Sequence, residues 1–297
     1  MHNLEDLVDR YYKRIFFLFV PNVCNAKCPF CYVKPCFSEN AILSNLVLNK
    51  TKEFVNSAKK IGFNEFRITG GEPLVYENIS ELLYIFKNYD ISYTLITNGM
   101  NIKNHIELFN SNKPKKITIS YHSKLNHNNI FGVEYNTEML DESIRELCKR
   151  KINIAITIIV FEGNRKEILS HVLFLKSLGV KSFKIIYPND KKIKMSLRNE
   201  FVKIIKSLET ISGIEIRHSE LNSPVCNMIS RGFLSYLLDR NNIYDCCYAM
   251  SNEHFIGKIN SVDSLEAIIW KFYNTAQMLN TFPCESYVDF CPIALNN

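Results

Sequence analysis

The segment Cys24-Asn25-Ala26-Lys27-Cys28-Pro29-Phe30-Cys31 spaces three cysteines three and two residues apart. One loop of that pattern can aim three thiolates at a single point, and soft sulfur ligands favour iron–sulfur clusters or zinc. A zinc site would want a fourth ligand, which Cys36 could supply, so spacing alone leaves both metals open. A second segment, Thr69-Gly70-Gly71-Glu72-Pro73, sets paired glycines ahead of a carboxylate. Lacking side chains, the glycines let the main chain come close to a ligand, although Gly-Gly before Pro is by itself only a tight turn. Other polar residues stand at or beyond the ends of apolar runs: Asn98 in Thr97-Asn98-Gly99, Ser120 after Ile119, then His122, His127-Asn128 and Asn164. Cys226, Cys246, Cys247, Cys284 and Cys291 gather in the last quarter of the chain.

The elements that must position these groups follow from periodicity. Short β-rich runs are expected at Arg14 to Val20, Glu65 to Thr69, Ser92 to Thr97, Lys116 to Tyr121, Ile152 to Val160 and Ser182 to Tyr187. Helical stretches between them cover Ala41 to Ile61, Asn78 to Lys87, Asn101 to Asn110, Thr137 to Arg150, Asn164 to Leu178 and Ser196 to Ile211. Asn78 with Glu81, and Asn164 with Glu167, have the spacing of capping boxes. Cys148 shares a helical face with Leu140, Ile144 and Leu147, which makes it a core thiol.

Regular β-α alternation implies parallel strands joined by right-handed crossovers. The expected fold is α/β, a partial (β/α)6 TIM-like barrel over residues 1–211, with its chemistry at the C-terminal strand ends. From residue 212 to 297 the pattern changes to a small cysteine-rich extension: a short strand at Glu215 to Arg217, a hairpin of Gly232 to Tyr236 and Asn242 to Cys246 about the turn Asp239-Arg240-Asn241, and a helix at Ser264 to Tyr273.

Composition narrows the function classes. Ten cysteines in 297 residues do not suit the disulfide framework of a small secreted domain, so metal or redox work is the better reading. A formal charge of +6, from 36 basic and 30 acidic residues, comes with no clustered basic stripe, so no nucleic-acid partner is expected. The longest apolar runs fall well short of the about 20 residues that span a bilayer. The N-terminus has no charged-then-apolar leader, and the expected location is the cytoplasm.

With these motifs in view, the sequence resembles the radical S-adenosylmethionine (radical SAM) superfamily, whose cluster loop has the spacing of Cys24, Cys28 and Cys31 and an aromatic residue before the third cysteine, as Phe30 is here. The resemblance implies a 4Fe-4S cluster with three irons on these cysteines and the fourth open to the amino and carboxylate groups of S-adenosylmethionine. It places Tyr32 near the adenine, Gly70, Gly71 and Glu72 along the methionine amino group, Ser120 on the ribose, and Asn98 and Asn164 beside the cosubstrate. A side chain at Gly71 is accordingly expected to weaken cosubstrate binding and to spare iron. His122 stands where related peptide-modifying enzymes often carry Asp, and could line the substrate pocket, protonate a product or simply pack. No side chain is identifiable as the acid or base of later steps.

The tail looks like the SPASM and twitch extensions of that superfamily, in which cysteines flanking a hairpin and closing the chain cradle auxiliary clusters. By that likeness Cys226, Cys246, Cys284 and Cys291 would hold one auxiliary 4Fe-4S cluster, with Cys247 the rival of Cys246. The implied activity is reductive cleavage of S-adenosylmethionine to a 5′-deoxyadenosyl radical that takes hydrogen from a ribosomal peptide or from a small molecule such as an aminocyclitol. The electron would come from a donor such as flavodoxin or ferredoxin. A non-catalytic zinc-binding interaction protein could use the same cysteines but gives no reason for Gly70-Gly71-Glu72-Pro73.

Overall fold

The computed structural model describes residues 14–21, 23–31, 45–186, 194–218, 234–238, 241–244, 255–258 and 265–270. Tyr32, Cys36, Cys226, Cys246, Cys247, Cys284 and Cys291 lie outside the described residues. The chain divides into two units, one of Met1–Cys24, Tyr32–Thr94 and Ser223–Asn297, the other of Asn25–Cys31 and Leu95–Asn222.

The first unit is built on β1 (Ile15–Val20), whose residues from Phe16 onward are all buried, as in a strand covered on both faces. Helix α1 (Asn45–Lys60) leads to β2 (Glu65–Gly70), which runs parallel to β1 with Ile15 opposite Glu65 and Val20 opposite Gly70. A 3-10 turn at Pro73–Val75 and helix α2 (Ile79–Asn88) follow. Strand β3 (Ser92–Thr97) is shared, its first half in this unit and its second half in the other. Aromatic rings fill this core: Phe16 meets Phe54 edge-on at 5.1 Å and Phe63 at 4.9 Å, and Phe54 stacks on Tyr236 at 3.9 Å.

The second unit carries a 3-10 turn at Ile102–His105, α3 (Ile106–Ser111), β4 (Lys116–Ser120), α4 (His127–Phe131), α5 (Thr137–Lys149), β5 (Ile154–Ile159), α6 (Ile168–Ser177), β6 (Ser182–Ile186), α7 (Lys194–Glu209) and β7 (Glu215–His218). Strands β4 to β7 are parallel neighbours in sequence order. Helix α5 forms as its pattern demands: Asn136 accepts the Glu138 N–H at its start, and Leu140, Ile144 and Leu147 are fully buried. Cys148 sits at the edge of that face, half-buried, with burial raising its thiol pKa.

Neither capping box forms. Asn78 is the N-cap of α2 but makes no side-chain cap bond and bonds the Tyr76 side chain instead. Helix α6 begins at Ile168, beyond Asn164, with no side-chain cap on Glu167. The tail hairpin does form, as β8 (Leu234–Leu237) and β9 (Asn242–Tyr244) in antiparallel register, continued by β10 (Phe255–Lys258) and a helical stretch at residues 265–270. Strand β8 also pairs in parallel with β1, Phe16 opposite Leu234 and Phe19 opposite Leu237. Strand β7 likewise pairs with β6, so both stretches beyond residue 211 extend core strands.

Candidate active site

The cysteine loop leaves the end of β1. Cys24 is exposed, Cys28 and Cys31 are half-buried, and the Cys31 N–H donates to the Cys28 carbonyl at 3.2 Å, closing a turn between them. Among the described residues no three His, Cys, Asp or Glu side chains are grouped closely enough to hold a metal ion. The donor set nevertheless fits an iron–sulfur cluster, since all three side chains are soft sulfur ligands on one short loop. Such thiols bind the metal as thiolates, and the last adjustment that brings the sulfurs together accompanies binding.

Within the second unit the residues between the cysteines are held one after another. The Asn98 amide N–H donates to Asn25 Oδ1 at 2.7 Å, while Asn98 Oδ1 accepts the Met100 N–H at 3.0 Å. Ala26 packs in a buried apolar group with Met100 and Phe131, against which Cys28 rests. The Lys27 N–H donates to the Phe131 carbonyl at 2.7 Å. Phe30 lies 4.9 Å from the Phe161 ring and 5.7 Å, edge-on, from His122.

The glycine loop belongs to the first unit, at the end of β2. Gly70 has φ +127°, and a Cβ there would come within 2.5 Å of the Val20 carbonyl oxygen. A Cβ on Gly71 would lie 2.4 Å from the Val23 carbonyl oxygen. The same oxygen accepts the Glu72 N–H at 2.8 Å, and Glu72, almost wholly buried, caps the 3-10 turn by accepting the Leu74 N–H at 3.0 Å. The close approach that demands glycine here is that of the protein's own main chain, one residue before Cys24. A side chain at Gly71 would therefore press on the main chain at the root of the cysteine loop.

Asn164 is held by main-chain groups of its own unit. Fully buried, it donates both amide hydrogens, to the His122 carbonyl at 2.7 Å and the Ile159 carbonyl at 2.8 Å, and accepts the Phe161 N–H at 2.7 Å. Its amide staples the loops after β4 and β5, with both hydrogens engaged. Ser120 closes β4, half-buried and opposite Thr157.

His122 is buried, stacks on Phe131 at 5.4 Å and accepts the Ile159 N–H through Nδ1 at 3.2 Å. Burial, aided by nearby His127, lowers its pKa to about 3, which favours the neutral ring. His127 stacks on Phe131 at 4.5 Å and is lowered to about 4, again chiefly by burial. Beside them the Tyr121 hydroxyl donates to Asp141 at 2.9 Å, and Asp141 takes an ion pair from Lys124 at 2.6 Å. This network, Asn25 and the Phe131–Gly132 turn were missed by sequence reasoning. Gly132, a left-handed C-cap ending the short helix α4, is the one among them with a readable signal.

Comparison with known proteins adds the decisive observation: the sequence model of the Radical SAM superfamily matches residues 18–175, which includes the cysteine and glycine loops. The chain belongs to the radical SAM superfamily of enzymes. Membership implies a 4Fe-4S cluster and S-adenosylmethionine. A GTP 3′,8-cyclase of Aquifex aeolicus (strain VF5) is 28% identical over 165 residues, covering 53% of this chain and 51% of that protein. The chain spans about half the length of the curated relatives it matches. Native anSMEcpe with bound AdoMet superimposes with a TM-score of 0.67 at 18% identity, over 86% of this chain and 80% of that one. Streptococcus suis SuiB bound to precursor peptide SuiA gives a TM-score of 0.64 at 16% identity, over 79% and 59%. These likenesses show the fold, the α/β architecture of parallel strands and helices expected from the sequence. Among the described residues no helix is long and apolar enough to cross a membrane.

Proposed function

We propose that this chain holds a 4Fe-4S cluster on Cys24, Cys28 and Cys31 and reductively cleaves S-adenosylmethionine. When bound, the cluster supplies the electron that splits the sulfonium into methionine and a 5′-deoxyadenosyl radical, which takes hydrogen from the substrate. The observation that carries this reading is the three-thiol loop itself, leaving β1 with each residue between its first two cysteines held by the fold. The protein's part is to orient and to exclude water. Gly70, Gly71 and Glu72 are assigned to the methionine end of the cosubstrate, Ser120 to the ribose and Tyr32 to the adenine, all on the strength of the resemblance. Asn98 serves through the cysteine loop.

The chain region 212–297 is assigned the role of a SPASM/twitch-like extension with one auxiliary cluster on Cys226, Cys246, Cys284 and Cys291. The division from the core over 1–211 is one of role, since β7 and β8 pair with core strands. The substrate is a peptide or a small molecule: SuiB is bound to a precursor peptide, whereas the curated relatives are named for GTP. A flavodoxin or ferredoxin would deliver the electron, in the cytoplasm.

The test is anaerobic reconstitution with iron and sulfide, reduction, and quantification of 5′-deoxyadenosine. Brown protein that cleaves S-adenosylmethionine, with cleavage lost on replacing Cys24, Cys28 and Cys31 by Ala, supports the reading. A colourless zinc-loaded protein, or cleavage indifferent to the triple replacement, overturns it.

A further inference from the structure

We propose that the cysteine loop is shaped before any iron binds, and that Asn98 and the Phe131–Gly132 turn are the positioning residues that shape it. The role in cluster assembly rests on the function proposed above; the shaping of the loop does not.

Three consecutive residues, Asn25, Ala26 and Lys27, separate the first two thiols, and each has its own restraint. Asn98 is buried at the end of β3, and its amide has a fixed sense. Because its oxygen accepts the Met100 N–H at 3.0 Å, its nitrogen must be the atom that meets Asn25 Oδ1 at 2.7 Å; a flipped amide would set N–H against N–H. Ala26 is buried against Met100 and Phe131. The Lys27 N–H is held by the Phe131 carbonyl at 2.7 Å, and the Lys27 carbonyl lies on the side of Gly132 where a side chain would stand. Gly132 is left-handed at φ +67°, caps α4 through its own N–H to Asn128 at 2.8 Å, and leaves no room for a Cβ, which would stand 2.8 Å from the Lys27 carbonyl oxygen. Phe30, one residue before Cys31, is set against Phe161 and His122.

A metal-organised loop, by contrast, would have its contacts supplied by the ligands alone and would be unordered without them. Here the ordering is supplied by the end of β3 and by α4, which together set the position of Cys28. Loss of the Asn98 or Gly132 restraint should therefore lower iron loading and broaden the signature of the reduced cluster without unfolding the domain.

The experiment is amide hydrogen exchange on the full chain stripped of iron by anaerobic chelation. The Lys27 amide is expected to exchange at least about tenfold slower than an unstructured amide. Asn98→Ala and Gly132→Ala should remove most of that protection from residues 25–28 while β4 and β5 amides keep theirs. Asn25→Asp, which retains an acceptor for the Asn98 amide, should hold protection near the native level, whereas Asn25→Leu should lose it. Reconstitution of the same variants should give less iron in Asn98→Ala and Asn25→Leu than in Asn25→Asp, with a broadened electron paramagnetic resonance signal. An unprotected Lys27 amide in the iron-free native chain, or equal protection in Asn98→Ala, overturns the proposal. Should Gly132→Ala fail to fold, the Asn25 and Asn98 variants still decide. Protected loop amides in a protein that takes up no iron and cleaves no S-adenosylmethionine would sink the proposed function and leave the shaped loop standing; the reverse pattern would sink the shaped loop alone.

Discussion

Gly71→Ala is a small change with a large expected effect. The added Cβ would stand 2.4 Å from the Val23 carbonyl oxygen and 2.9 Å from its carbon, both main-chain atoms with no flexible end to swing aside. To reach even 3.0 Å the oxygen must retreat by about 0.6 Å, an overpacking strain of roughly 1–3 kcal/mol. That retreat also loosens the 2.8 Å bond from the Glu72 N–H, which contributes about 0.5–1.5 kcal/mol. Together they destabilise the fold by roughly 2–4 kcal/mol, which for a chain of this size lowers the melting temperature by roughly 5–10 °C. Because Val23 precedes Cys24, the displacement also reaches a thiolate, so iron per chain after reconstitution should fall, and cosubstrate affinity with it. Calorimetry of the iron-free protein, iron quantification and equilibrium titration with S-adenosylmethionine measure the three effects. A variant with native melting temperature and native iron that binds the cosubstrate poorly would refute the steric reasoning and restore the glycine to a purely ligand-facing role.

Replacing Cys24, Cys28 and Cys31 together by Ala should leave roughly four irons per chain if the tail cysteines hold a 4Fe-4S cluster; essentially no iron in a protein with native circular dichroism would remove the auxiliary cluster. His122 and His127 have pKa values lowered from 6.5 to about 3 and about 4, so the unfolded chain binds their protons first. Stability should be unaffected by these two groups above pH 6.5 and fall below it, His122 alone costing about 2–3 kcal/mol by pH 4.5. His122→Asn should flatten that fall in thermal melts, and an unchanged acid slope would refute the assignment. Asp141→Ala leaves the buried Tyr121 hydroxyl and Lys124 without their shared acceptor and should destabilise the fold by about 1–3 kcal/mol; Asp141→Asn, which keeps an acceptor for Tyr121, should recover part of that loss in denaturant titrations.

By itself the sequence determined the alternation of elements, because an unbroken apolar run such as Ile15–Val20 and a helical stripe such as Leu140, Ile144 and Leu147 are local patterns that only one kind of burial satisfies. It also determined the metal chemistry on offer, since three thiols within eight residues need no distant partner to be recognised. Helix starts were less legible: Asn78 and Asn164 have the right spacing for caps, but their amides found better partners in Tyr76 and in three main-chain groups, and nothing local records that competition. The parallel pairing of β8 with β1 was equally hidden, because a short apolar strand fits a detached hairpin and a sheet edge alike. Only the tertiary structure could show the Val23 main chain crossing Gly71, or join Asn98 to Asn25 across 73 positions of sequence. Such contacts depend on where two segments meet in space, and residue type constrains that meeting without naming the partner.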